Sequence, residues 1–203
     1  KAVEPAGLAR DDIQIFCDVM GRMGYPCHYD SAAQVMDEIA CVTPSYGGIS
    51  HARLDAGESL QWPCPSKDHP GTPILHAGRL SRELPDEEYP ILLTTGRMLY
   101  HYNTRAMTKR TEGLNEICSE SYIEVNEEDA KALGISHGDK VLVSSRRGRI
   151  TSTARVGQKV SPHEAFMTFH FADGNVNRIT NAALDDLARI PEYKACAIRI
   201  QKA

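Results

Sequence analysis

The chain has 203 residues with a formal net charge of −4, so no bulk positive charge points to nucleic acid or to an anionic membrane. No run approaches the roughly 20 apolar residues of a spanning helix. A hydrophobic content of 41% is enough to bury the core of one to two domains.

Six cysteines stand at 17, 27, 41, 64, 118 and 196, with no CxxC pair. That spacing speaks against a zinc ribbon, a cluster built by this chain alone or a dense disulfide framework. It favours free thiols in a reducing compartment. The chain begins at Lys1 rather than Met, without a signal-like segment. The native start is therefore expected upstream, and the expected setting is cytoplasmic.

Asp11 or Asp12 caps a predicted helix in which Ile13, Phe16, Cys17, Met20 and Met23 recur at the spacing of one buried face. Gly24 stands where a left-handed cap belongs, and Tyr25-Pro26 forces an extended exit. Ser31 with Gln34 reads as a capping box before a second helix over 32–40. From Thr43 to Pro73 prolines and glycines dominate, and an irregular connection is expected, with Trp62 as its packing anchor. A metal site drawn from His28, His51, His69 and His76 is weighed against scattered packing histidines, because none shares a helical spacing.

From about Asp86 the pattern turns to strands. Pro90–Leu93, Ser121–Val125, Lys140–Ser145, Ile150–Val156, Ala165–His170 and Ala195–Gln201 are predicted. Arg146-Arg147-Gly148-Arg149 reads as a solvated hairpin link with its glycine at positive φ. Asn126 caps a short helix over 127–133 that Gly134 stops. Six strands and one or two short helices in this length suggest a small closed barrel.

No GxSxG, HExxH or P-loop motif is present. Three polar–aromatic clusters stand at strand ends: Thr94–Arg105, Phe169–Asn177 and Pro191–Lys194. In a barrel, loops of one rim converge. Arg97 and Lys194 would meet anionic oxygens, and His101, Asn103 and Asn177 would meet the edges of a heterocycle. Tyr100, Tyr102, Phe169 and Tyr193 would form apolar walls. The inventory suits a large, flat, phosphorylated ligand of nucleotide type, and it equally fits an ordinary solvated rim.

The chain resembles the C-terminal part of molybdopterin-dependent oxidoreductases, specifically the catalytic subunit of formate dehydrogenases. The resemblance rests on Met23-Gly24-Tyr25-Pro26, Gln61-Trp62-Pro63-Cys64, Leu92–Arg97 with His101–Thr108, Leu133-Gly134-Ile135 with Gly138-Asp139 and Val141, Asn177–Asn181, and Pro191–Ala197. Their order and spacing are specific for the superfamily and less so for formate over nitrate. His101-Tyr102-Asn103, where nitrate reductases tend to show His-Trp-His, favours formate.

The resemblance implies an α+β chain: residues 1–85 the tail of an α/β domain with a long connection, residues 86–203 a six-stranded double-psi β-barrel. It implies a bis(molybdopterin guanine dinucleotide) cofactor holding Mo or W. Carried over position by position, Thr95, Gly96, Arg97, His101, Asn103, Asn177, Tyr193 and Lys194 match its cofactor-contacting stretches. Tyr102 and His170, from the same clusters, join the expected set. Arg97 and His101 would serve one pterin and the substrate side, and Asn177, Tyr193 and Lys194 the other. Replacing Arg97 is expected to hurt more than replacing Arg147, which is expected to be near neutral.

The metal ligand, its neighbouring histidine and a [4Fe-4S] cluster are expected upstream of Lys1. The chain is therefore expected to be a fragment or one piece of a split subunit, without catalytic or metal-ligating residues of its own and inactive alone. Expected partners are the remainder of the catalytic subunit, iron–sulfur electron-transfer subunits and formate or CO2, with no nucleic acid and no membrane segment. The alternatives are an assimilatory nitrate reductase, a formylmethanofuran dehydrogenase, or a non-catalytic barrel used for docking. The family usually carries a further hairpin-like segment between Gly78–Leu80 and Leu84–Asp86; here the two ends nearly touch, and the sequence leaves open a true deletion or an omitted loop.

Overall fold

Two short helices open the described part of the chain, α1 (Asp12–Arg22) and α2 (Ala32–Val42). The computed structural model describes residues 3–69, 83–186 and 188–203. The chain divides into two units, 1–78 and 79–203. His76 lies outside the described residues, and the junction between 78 and 86 lies partly outside them.

In the first unit the local signals act as predicted. The Asp11 side chain accepts from the Gln14 amide at 2.9 Å, and Gly24 adopts φ +86°. Ser31 Oγ accepts from the Gln34 amide at 3.4 Å, while Gln34 Oε1 accepts from the amide of Asp30 at 2.8 Å, one residue earlier than a capping box requires. The expected buried stripe differs. No residue of α1 is buried, and Phe16 and Met23 are 66% and 79% exposed. Two 11-residue helices with their turns are too small to enclose the face that the sequence pattern marks.

The connection is less irregular than expected. A 3-10 turn at 44–46 and α3 (His51–Asp55), capped by Ser50, are too short to show a period. Its anchor is Cys64 rather than Trp62. Cys64 is buried under Gly48, where a Cβ would lie 2.2 Å from the Ser66 carbonyl oxygen and 2.8 Å from Cys64 Sγ. Trp62 is 63% exposed, its ring tilted against Tyr46 with centroids 6.4 Å apart.

The second unit is the closed barrel. Its elements are β1 (Ile91–Gly96), α4 (Glu112–Ile117), β2 (Tyr122–Asn126), α5 (Glu127–Ala132), β3 (Lys140–Ser145), β4 (Gly148–Gly157), β5 (Glu164–Thr168) and β6 (Ala195–Lys202). They close in the order β1-β5-β2-β4-β3-β6. The pairs β1/β5 and β2/β4 are parallel and the other four antiparallel. Alternation fills the interior: Leu93, Ile123, Val141, Val143, Met167 and Ile198 are each fully buried. The α+β double-psi barrel is thus the fold observed. Asn126 Oδ1 caps α5 by accepting from the Glu128 amide at 2.9 Å, and Gly134 ends it at φ +64°.

One turn departs from expectation. The β3–β4 link is two residues, Arg146-Arg147, and Gly148 already pairs with Ser145 as a strand residue without positive φ. Gly148 is needed for close approach: a Cβ there would stand 3.1 Å from the Arg178 carbonyl oxygen.

Candidate functional site

Strand register gathers the three polar clusters. β1 and β5 run parallel with Gly96 opposite Thr168, so the loops beginning at Arg97 and Phe169 leave side by side. β6 runs antiparallel to β1 with Ala195 opposite Thr94, so Tyr193-Lys194 enters at the same rim. A cavity of about 660 Å³ opens there, lined by Arg97, Phe169, Asn177 and Tyr193, one or more from each cluster, with Arg147, Arg178, Thr180 and Asn181. A second cavity of about 400 Å³, at the ends of β2 and β4, has its charges largely paired: Lys159 meets Glu124 at 3.4 Å.

The rim is stitched from both sides. Thr95, buried, donates through Oγ1 to the Tyr193 carbonyl at 2.5 Å. Lys194 Nζ donates to the Thr95 carbonyl at 3.2 Å and lies 5.8 Å from the Phe169 ring centroid. The Arg97 guanidinium sits 5.2 Å over the same ring. Among the described residues neither Arg97, Arg178 nor Lys194 has a carboxylate within ion-pair distance. The cavity therefore carries two guanidinium groups, Arg97 and Arg178, without ion-pair partners among the described residues, beside aromatic faces and the Asn177 amide. The Asn181 amide is held by its own chain, donating to Glu192 Oε2 at 2.9 Å and accepting from the Ala183 amide at 3.0 Å.

The two expected histidines stand behind this wall. His101 is buried, its Nε2 donating to the Cys118 carbonyl at 2.7 Å and its Nδ1 accepting from Thr108 Oγ1 at 3.0 Å. His170, also buried, accepts the Met98 amide on Nε2 at 2.9 Å and donates from Nδ1 to the Asn103 carbonyl at 2.5 Å. Each partner fixes the tautomer. Both nitrogens of both rings are thus committed, and a bond from either ring to a ligand would require one of these to break. Asn103 and Arg105 take positive φ, +45° and +63°, to complete the turn they hold. The Tyr102 and Asn103 side chains are exposed and stand outside the 660 Å³ cavity.

Burial lowers the pKa of His170, with the hydrogen bond to Asn103 opposing it. The folded protein then keeps the ring neutral while the unfolded chain binds a proton below about pH 6.5. This contribution to stability is complete above that value and is lost as pH falls through the lowered folded value. Denaturant melts between pH 8 and 5 should show a stability loss that His170→Asn flattens. Equal slopes in the two proteins would remove His170 from the acid side of the profile.

Sequence reasoning missed Arg147 and Arg178 and misplaced the former as solvated. β3 runs antiparallel to β6, so its turn points toward the end where β6 begins, which is the site rim. Arg147 meets Glu83 Oε2 at 2.7 Å and donates to the Ile179 carbonyl at 3.0 Å, while its buried Nε has no partner. Behind it Cys196 is pushed up to about 11 by burial and is a thiol at neutral pH. The signal for Arg147 lay in the direction of the hairpin, which needs the strand order.

Residues 91–197 match the family described as Molydopterin dinucleotide binding domain. The chain belongs to that family. Among curated relatives, it is 41% identical over 220 residues to the F420-dependent formate dehydrogenase subunit alpha of Methanocaldococcus jannaschii, covering 100% of this chain and 32% of the relative. It is 34% identical over 242 residues to a nitrate reductase of Symbiobacterium thermophilum, covering 100% and 32%. It is 31% identical to formate dehydrogenase H of Escherichia coli, covering 99% and 31%. The chain thus spans about a third of the length of these relatives. Among solved structures, acetylene hydratase from Pelobacter acetylenicus superposes with a TM-score of 0.66 at 16% identity, over 99% of this chain and 34% of that one, a likeness of fold.

The family's ligand fits this member of it. A dinucleotide brings phosphates and flat heterocycles, and the cavity brings the guanidinium groups of Arg97 and Arg178, an orphaned buried Arg147 Nε, aromatic faces and the Asn177 amide. Among the described residues no three His, Cys, Asp or Glu converge as metal ligands, and no helix is long and apolar enough to cross a membrane.

Proposed function

We propose that this chain supplies part of the cradle for a molybdopterin guanine dinucleotide in a formate dehydrogenase that interconverts formate and CO2. The observation that carries the reading is the convergence of Arg97, Asn177 and Tyr193, from three separate segments, on one cation-rich cavity. Mo or W held by the cofactor supplies the two-electron chemistry when bound, with electrons leaving through iron–sulfur clusters of the remaining polypeptide and partner subunits. The residues described here bind and orient. Arg97 and Arg178 offer forked donors to phosphate or other anionic oxygens. Asn177 can read the edge of a heterocycle, and Phe169 and Tyr193 wall the cavity. Thr95, Lys194, His101 and His170 hold the loops that carry them. Formate as substrate is supported by the higher identity to formate dehydrogenase alpha subunits than to nitrate reductase.

The test is purification of the full-length protein, measurement of released pterin by fluorescence, and separate assays of formate-dependent viologen reduction and nitrate-dependent viologen oxidation. Pterin with formate turnover is expected. Nitrate turnover alone would move the protein to the nitrate reductases, and absence of pterin from the folded protein would reduce the barrel to a docking module.

A further inference from the structure

We infer that Glu83 is a positioning residue for the cavity, acting through Arg147; the inference rests on the cofactor reading given above. Arg147 stands on a two-residue turn, where a free arginine would lose its place among many rotamers. Glu83 removes that freedom. Its Oε1 accepts from Arg146 at 2.5 Å, and its Oε2 lies 2.7 Å from Arg147 Nη2 as an ion pair outside hydrogen-bond geometry, with no other partner among the described residues, so each carboxylate oxygen faces a different arginine. On its other side Arg147 donates to the Ile179 carbonyl, in the segment that brings Asn177 and Arg178 to the cavity. Through Arg147, Glu83 thus couples the β3–β4 turn to the 176–179 turn.

The two arginines are not equivalent in this arrangement. Arg146 has a second carboxylate, Asp86, and lies 4.8 Å over the Tyr89 ring, so it stays anchored without Glu83. Among the described residues Glu83 is the only carboxylate within ion-pair distance of Arg147. Glu83 does not line the cavity; Arg147 does. Although burial raises the pKa of Glu83, the charges of Arg147 and Arg146 beside it outweigh that and hold the carboxyl below its usual range. The carboxylate is then charged at neutral pH, and the latch is engaged.

The experiment uses the full-length protein and counts pterin retained per polypeptide after gel filtration. Glu83→Gln keeps the size and removes the charge. Retention should fall about tenfold, within what removing one charge of a partly buried ion pair produces. The double variant Glu83→Gln/Arg147→Met should retain as much as Arg147→Met alone, because Glu83 acts only through Arg147. A merely structural role would instead add a further loss in the double variant, and that result overturns the inference. Glu83→Asp, which keeps the charge but shortens the reach, is made in parallel. If Glu83→Gln does not fold, full retention in Glu83→Asp or in Arg147→Met overturns the inference, and loss in both supports it. Arg97→Ala separates the two readings. Pterin lost there but kept in Glu83→Gln sinks only the positioning role, whereas pterin kept in both Arg97→Ala and Arg147→Met sinks the cavity assignment as well.

Discussion

Arg97→Ala in the full-length protein is expected to lower cofactor retention on the order of 10- to 100-fold. Arg97 leaves the end of β1 and is steered over the Phe169 ring at 5.2 Å, with no carboxylate of the described chain competing for it. A ligand that covers it removes water from both partners. Loss of the guanidinium then leaves an anionic oxygen unpaired, at about 1.5–3 kcal/mol. With about 1.4 kcal/mol per decade, that gives the stated range. Arg97→Lys should rescue only part of the loss, since a point charge replaces a planar fork that stacks on an aromatic face. The control is Lys159→Ala, whose side chain is 79% exposed and whose effect should stay within roughly 0.5 kcal/mol. Arg147 cannot serve as a neutral control, because it lines the same cavity. Normal pterin content and normal turnover in Arg97→Ala would defeat the assignment.

The barrel was legible because its information is local and periodic. Alternation marked the strands to within one to three residues, and Asn126 and Gly134 bracketed α5 as their chemistry demands. The shared rim was legible in outline, since each cluster follows or precedes a strand. Which residues face the ligand was not. The run from Thr94 to Arg105 looked like one binding loop, yet the fold divides it: Arg97 goes to the cavity, while His101 and the Asn103 carbonyl hold the loop itself. Composition shows a polar group but not whether its own chain has already taken it. Arg147 failed for a different reason. Strand order is a long-range property, and only β3 lying beside β6 turns an apparently solvated hairpin toward the site. In α1 the 3-4 spacing marked an apolar stripe but not its burial, because a stripe does not specify its cover, and Phe16 and the capping Met23 stay exposed in this chain.

His170→Ala is expected to destabilise the barrel by about 3–5 kcal/mol. The imidazole is 1% exposed and bridges the two ends of the loop that presents Arg97, taking the Met98 amide and giving its own N–H to the Asn103 carbonyl. Alanine removes both bonds at once. Each backbone group left without a partner costs about 1–3 kcal/mol when water cannot replace the ring. The vacated volume adds a cavity term, since the neighbouring His101 ring, 6.2 Å away by centroid, is pinned by its own two bonds and cannot fill the space. The effect should reach the ligand through the loop. Freed at Met98, the chain on either side of Arg97 loses one of its two fixed ends, so pterin retention should fall along with the unfolding midpoint. Urea melts with and without bound cofactor measure both. A loss below about 1 kcal/mol would mean that water or a shifted side chain satisfies Met98 and Asn103, and that His170 does not hold the loop as the hydrogen bonds indicate.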